Sequence, residues 1–282
     1  GGEELSYSSD IDVLFVYDGD DPGDSETAAA LARRLTAALA EPTAEGQTFR
    51  VDANLRPEGR QGPLARSLES YRAYYERWAL VWEHQALLRS RPVAGDPDLG
   101  RRFVEMVQPI VFREPFPDED AREVRRIKAR VERERIPPGE DRNFHLKLGR
   151  GALTDIEFTV QLLQLQHGRS EPSVRGPATL AALAALAEAG LLAAADANVL
   201  AEAYVFCERA RNACYLVMGR PSDALPTGPD AVRVGRLLGE LRRPEAALRD
   251  DYRRVTRRAR HVVERVFYAA GPDRRPSPTG RQ

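Results

Sequence analysis

Apolar residues crowd together first at Val13-Leu14-Phe15-Val16-Tyr17, and just before that run Ile11 stands alone between two aspartates. A run of this length predicts a strand opening near residue 10, with Ile11 toward the core and Asp10 and Asp12 on the opposite side. Acidic, Gly- and Pro-containing residues 18–24 predict a loop, and Asp24 or Ser25 can cap a helix. Leu31, Leu35 and Leu39 recur every four residues, which predicts an amphipathic helix over 26–40. Thr48-Phe49-Arg50-Val51-Asp52 reads as a second strand, and the Pro- and Gly-rich stretch 55–64 as a loop. Ser67 can cap the next helix. Leu68, Tyr71, Tyr75, Trp78 and Trp82, three or four apart, predict one continuous buried stripe ending before Arg91-Pro92.

From about residue 96 the periodicity is helical almost throughout. Leu99, Phe103, Val107 and Ile110 mark one helix, and Val124, Ile127 and Val131 another, stopped by Pro137-Pro138-Gly139. Residues 143–148 alternate like a strand. Gly149-Arg150-Gly151 then turns the chain into a helix reaching His167. Three more helices are expected at about 177–189, 195–217 and 244–269, with a disordered tail over 271–282.

The balance of charge adds little. The 282 residues carry 42 Lys+Arg against 43 Asp+Glu, which gives no electrostatic pointer to nucleic acid or a lipid surface. No apolar run approaches the roughly 20 residues that span a bilayer, and no secretory signal pattern is present. The chain opens inside a motif without an initiator Met, so it is expected to be a piece of something longer. Cys207 and Cys214 are two helical turns apart, too far for a disulfide on one regular helix. Reduced, buried thiols and a cytoplasmic location are expected.

Three constellations carry candidate chemistry. Asp10, Asp12 and Asp52, on two neighbouring strands, have the hard oxygens that Mg²⁺ takes and can hold metal for a nucleotide. Gly1, Gly2 and Ser9 precede them, and glycine lets backbone N–H groups approach phosphate closely. Arg56 and Arg60 in the following loop suit phosphate oxygens. Lys147, near the Gly turn, is a third candidate phosphate contact, with Asp155 and Glu157 in the first turn of the next helix. Glu83 and Arg89, polar beside the aromatic stripe, join the candidates with less to say for them. His84, His145, His167 and His261 lack metal-ligand spacing. His145 is expected within reach of the site, the other three at the surface or at helix ends. There is no P-loop and no G-x-S-x-G elbow.

Gly1-Gly2 followed by Ser9-Asp10-Ile11-Asp12 resembles the opening of DNA polymerase β-like nucleotidyltransferases. Four longer segments, 1–17, 51–96, 147–164 and 252–267, resemble the glutamine synthetase adenylyltransferase/deadenylylase family. The resemblance implies an α+β fold, with a small mixed-sheet nucleotidyltransferase domain over 1–95 and a mostly helical domain over 96–270. In it, 143–160 returns to the catalytic site. It implies ATP as substrate, Mg²⁺ as cofactor and glutamine synthetase as protein partner, with a PII signalling protein as a further partner. It gives Asp10, Asp12 and Asp52 the catalytic, metal-holding role. Family members carry two such halves, one transferring AMP to a tyrosine of the synthetase and one removing it by phosphorolysis to ADP. Thr154 before Asp155 in GALTDIEF, with 125–139 and the segment from 252, resembles the transferring half. VDANLRPEGR and HGRSE resemble removing halves. A non-catalytic module that only binds the synthetase or a PII protein is the third reading. The family usually has a second Gly where this chain has Ala152.

Overall fold

A computed structural model describes residues 2–7, 9–19 and 21–268, without the side chain of Pro22. The expected tail over 271–282, and Gly1 of the candidate site, lie outside the described residues.

The short strands β1 (Ile11–Asp12) and β3 (Val51–Asp52) pair in parallel, as do β2 (Phe15–Tyr17) and β4 (Ala65–Ser67). Both pairings between these strands are parallel. Helices make up most of the rest: α1 (Pro22–Ala40), α2 (Leu68–Arg77), α3 (Val81–Leu87), α4 (Pro97–Val111), α5 (Asp118–Glu134), α6 (Leu153–His167), α7 (Thr179–Glu188), α8 (Ala194–Met218), α9 (Gly228–Leu237) and α10 (Pro244–Val263). The chain divides into two compact units, 1–120 with 163–185, and 121–162 with 186–282. The expected α+β class holds, and 143–160 falls in the second unit.

The first unit is built on the parallel crossover β1–β2–α1–β3. Helix α1 begins four residues before the expected start. Asp21 caps it with Pro22 at its first position, and the Asp24 carboxylate reaches back to the Asp21 N–H at 3.2 Å. Its leucine stripe does not face the core, for Leu31 and Leu35 are exposed while Ala32 is buried. The alanine face is the thinner one and lets the helix approach the strands closely. At α2, Ser67 accepts the Ser70 N–H at 3.2 Å, as the sequence predicts. Tyr71 is wholly buried, packs edge-on to Phe103 of α4 at 5.5 Å and stacks on Tyr75.

The aromatic stripe is not continuous. α2 stops at Arg77, Trp78 is 71% exposed, and α3 starts again only at Val81. The break is stabilised locally, since the Glu83 carboxylate accepts the Leu80 N–H at 2.8 Å and fixes the start of α3.

In the second unit α10 packs along α8 and α9. Ala203, Cys207, Ala210 and Cys214 on α8, with Val255, Ala259 and Val263 on α10, are buried at 3% exposure or less. Both cysteines are free, as expected; burial raises both thiols, Cys214 to about 12. Helix α9 has no counterpart among the expected elements. Its Ala231, Val234 and Gly235 are buried, but the apolar set is short and interrupted by Arg233 and Arg236. Residues 143–148 form no strand. A 3-10 turn over Arg142–Phe144 leads to a single bridge, His145 with Ala224, where Leu225 N–H donates to Phe144 O and Leu146 N–H to Asp223 O. The apparent alternation arises because Phe144, His145 and Leu146 are all buried.

Candidate active site

The opening motif folds as a parallel ladder because Ile11 N–H donates to Arg50 O at 2.8 Å and Val13 N–H to Asp52 O at 2.9 Å. That register puts Asp12 directly opposite Asp52. Neighbouring strands lie about 4.8 Å apart, and register partners present their side chains to one face. Two carboxylates so placed repel each other, and a cation between them relieves that repulsion. Asp52 Oδ1 accepts the Asn54 N–H at 2.7 Å, which fixes the rotation of that carboxylate. Asp10, exposed, is turned to Arg50, with Nε 2.5 Å from Oδ1. The donors fit Mg²⁺ in kind, being hard carboxylate oxygens on one ladder. In this conformation Asp12 and Asp52 are the pair that would hold it. Asp10 would join only on leaving Arg50, and no group of three His, Cys, Asp or Glu side chains converges on a metal position among the described residues.

The other candidates take more varied places. Ser9 lies 2.8 Å from Ser6, hydroxyl to hydroxyl. Gly2 is buried; a Cβ there would stand 2.9 Å from the Pro177 carbonyl, so close packing alone accounts for a glycine. Arg56 serves its own loop, with Nη1 donating to Ala53 O at 2.7 Å and Nε to Gly62 O at 3.1 Å. Arg60 is exposed. Arg89 donates to Thr179 Oγ1 at 2.7 Å, and that hydroxyl donates to Glu4 at 2.9 Å.

In the second unit the candidates form a different assembly. Lys147 is exposed. The Gly turn beside it is packed against α10 rather than open. A Cβ on Gly149 would stand 2.5 Å from the Tyr252 hydroxyl, and one on Gly151 (φ +75°) 1.9 Å from Thr256 O. His145 lies inside the unit. Its Nδ1 accepts the Leu148 N–H at 2.9 Å and the Lys147 N–H at 3.2 Å, so the ring is neutral with its proton on Nε2, 3.1 Å from Glu140. Burial lowers its pKa. His84, expected at the surface, is buried on α3, where burial and then the Arg113 charge lower its pKa. His167 ends α6 and His261 is exposed, as expected.

Asp155 does more than complement a helix dipole. Its carboxylate is wholly buried, accepts the Gly151 N–H at 2.7 Å, and pairs with Arg260 at 2.9 Å and with Lys128. Lys128, 1% exposed, also pairs with Glu132, which binds Arg150 at 2.7 Å. Burial alone would raise Glu132, yet the Arg150 hydrogen bond and the Lys128 and Arg260 charges bring it below the ordinary range. The sequence analysis overlooked Lys128. The signal was its place on the apolar stripe with Val124 and Val131, and its identity as one of only two lysines in the chain. Glu157 is half-buried.

The first unit is thus a parallel crossover with two carboxylates opposite each other in register, within a chain of the α+β class. Residues 1–106 match the family model for glutamate-ammonia ligase adenylyltransferase, and 117–267 match that for GlnD PII-uridylyltransferase. The bifunctional glutamine synthetase adenylyltransferase/adenylyl-removing enzyme of Streptomyces avermitilis is 50% identical over 276 residues, covering 96% of this chain and 28% of that protein. The enzymes of the same name from Streptomyces coelicolor and Nocardia farcinica are 48% and 49% identical, each over 95% of this chain and 27% of their own length. The chain belongs to the glutamine synthetase adenylyltransferase/adenylyl-removing family. It spans about a quarter of the length of these curated relatives. Among the described residues, no helix is long and apolar enough to cross a membrane.

Proposed function

We propose that this chain is the adenylyl-transferring half, which moves AMP from ATP to a tyrosine hydroxyl of glutamine synthetase with Mg²⁺. The observation that carries the reading is the register of Asp12 opposite Asp52 on the parallel ladder. Asp12 and Asp52, with Asp10, would hold the cation, which supplies positive charge to the phosphate oxygens as negative charge moves onto the leaving group. The tyrosine oxygen forms a bond to the α-phosphorus, the bond from α-phosphorus to the bridging oxygen breaks, and pyrophosphate leaves with the electron pair. A tyrosine hydroxyl has a pKa near 10, so removal of its proton needs a nearby acceptor. The Asp52 carboxylate, held in rotation by Asn54, takes that role in this scheme. Thr154 before Asp155 in the GALTDIEF segment favours the transferring half over the removing one.

Asp12→Asn removes one of the two facing charges. It is expected to abolish AMP transfer and to leave the metal-free unfolding midpoint unchanged or raised. Incubation with ATP and unmodified synthetase should release pyrophosphate. Phosphate-dependent ADP from adenylylated synthetase would assign the removing half instead, and full activity in Asp12→Asn would sink the carboxylate assignment.

A further inference from the structure

The 252–267 segment carries six arginines, and the nucleotidyl-transfer reading uses none of them. On α10, Arg257 follows Arg253 by four residues, and Arg260 and His261 follow Arg257 by three and four, so all four share one helix face. Facing them are Arg142, from the 3-10 turn, and Arg150, from the Gly turn. Together these six line a groove of about 340 Å³ whose sole acidic lining residue is Glu264.

The charges in this groove do not cancel. Arg150, Arg260 and Lys128 are matched by Glu132, Asp155 and Glu264 in the buried network and at its rim. That leaves Arg142, Arg253 and Arg257. Arg142 donates to the Arg133 carbonyl at 3.2 Å, which supplies no countercharge. Arg253 lies over the Phe144 ring at 4.8 Å, and its nearest carboxylate, Asp250, is 3.8 Å away and 73% exposed. Arg257 makes no ion pair among the described residues. The hydroxyls lining the groove are occupied, Tyr252 donating to His145 O at 3.1 Å and Thr256 to Tyr252 O at 2.7 Å. Beside the Asn143 amide and the His261 ring, guanidinium groups are therefore the donors left to a ligand. Several like charges around one small concavity raise its potential and attract an anion of multiple charge. Arginine forks match phosphate oxygens in pairs. A single carboxylate brings one charge, whereas a phosphoanhydride chain brings several within this volume.

We infer that this groove binds a phosphoanhydride chain, that of inorganic pyrophosphate or of a nucleoside polyphosphate. The inference uses residues of the second unit alone and does not depend on Asp10, Asp12 or Asp52. The test is calorimetric titration of the whole chain with pyrophosphate, ATP, AMP and sulfate in EDTA, so that metal-dependent nucleotide binding is silent. Pyrophosphate and ATP are expected to bind, with AMP and sulfate at least about ten-fold weaker. Pyrophosphate binding tighter than ATP would assign the free anion as ligand, and the reverse would assign the nucleotide. Arg253→Ala with Arg257→Ala should weaken pyrophosphate binding by about ten-fold or more, since each removes a charge-assisted contact. Replacing both by Lys should recover part of it. Because Arg257 is exposed, Arg257→Gln alone decides the matter if the double variant unfolds. Asp12→Asn should bind pyrophosphate like the parent, even if it is inactive. The inference is overturned if pyrophosphate fails to bind, if sulfate binds equally well, or if the arginine variants bind like the parent.

Discussion

Asp155→Asn gives the sharpest test of how the second unit is held together, because the two roles open to Asp155 differ in magnitude. A carboxylate in the first turn of a helix contributes about 0.3–1 kcal/mol through the dipole. Loss of one partner from a buried ion pair costs about 3–5 kcal/mol, since the remaining charge is left without compensation. The geometry selects the larger figure. The Asp155 carboxylate is wholly buried and the Lys128 side chain is 2% exposed, so when Asp155 is neutralised the ammonium cannot turn to water and keeps only Glu132, at 3.3 Å, as a partial countercharge. Arg260, 18% exposed, retains Glu264 and is the less affected partner. With a urea dependence of about 2 kcal/mol/M, the midpoint should fall by roughly 2 M. Far-UV circular dichroism follows the loss of helix. Both tryptophans, Trp78 and Trp82, lie in the first unit, so their fluorescence is a separate reporter whose midpoint should move less. Lys128→Met combined with Asp155→Leu should recover much of the loss, because apolar residues remove the desolvation cost on both sides. A midpoint for Asp155→Asn within about 0.5 M of the parent would refute the buried-pair reasoning and leave only the dipole role.

Acid should weaken the fold in two steps of the same sign. Burial holds His145, and likewise His84 and His167, below the ordinary 6.5, so the unfolded chain takes up these protons first; stability is full above that value and is lost as pH falls below it, His145 supplying one share of the step. Glu132, held below 4.5 in the folded chain, adds a further loss as pH drops beneath that value. Urea midpoints measured against pH check both, and His145→Gln should reduce the upper step; a midpoint that rises on acidification would contradict it. Gly151→Ala should cost more than about 2 kcal/mol by the same unfolding assay, since a positive φ is added to a Cβ 1.9 Å from Thr256 O. A near-neutral alanine there would show that α10 does not press on the turn.

Much of the helical architecture was legible from spacing alone, as was the cap at Ser67, and the structure ends α7 and α8 near Gly190 (φ +71°) and Gly219 (φ +65°). Local chemistry decides those features: a serine side chain reaches its own helix, and glycine takes a positive φ without strain. The failures share one cause, namely that periodicity says which residues could share a face but not which face is buried. Leu31 and Leu35 formed the better stripe, yet α1 packs by Ala32. Trp78 kept the period of Tyr71 and Tyr75, but the backbone turned at that residue and left it in water. Residues 143–148 imitated a strand because an imidazole, polar in composition, is buried with its nitrogen satisfied by backbone N–H groups.

The candidate site divides in the same way. The sequence by itself singled out the carboxylates as candidates, since D-x-D before an apolar run brings two acids to one side of a strand. It also determined the family, through segments far longer than that motif. Only the tertiary structure decided that Asp12 meets Asp52 while Asp10 meets Arg50, because strand register is fixed by hydrogen bonds between segments some forty residues apart. It alone made Asp155 the partner of Lys128 and Arg260, 27 and 105 residues away in the chain. Charge compensation in a buried place acts over a few ångströms in space, a separation that the order of residues along the chain does not encode.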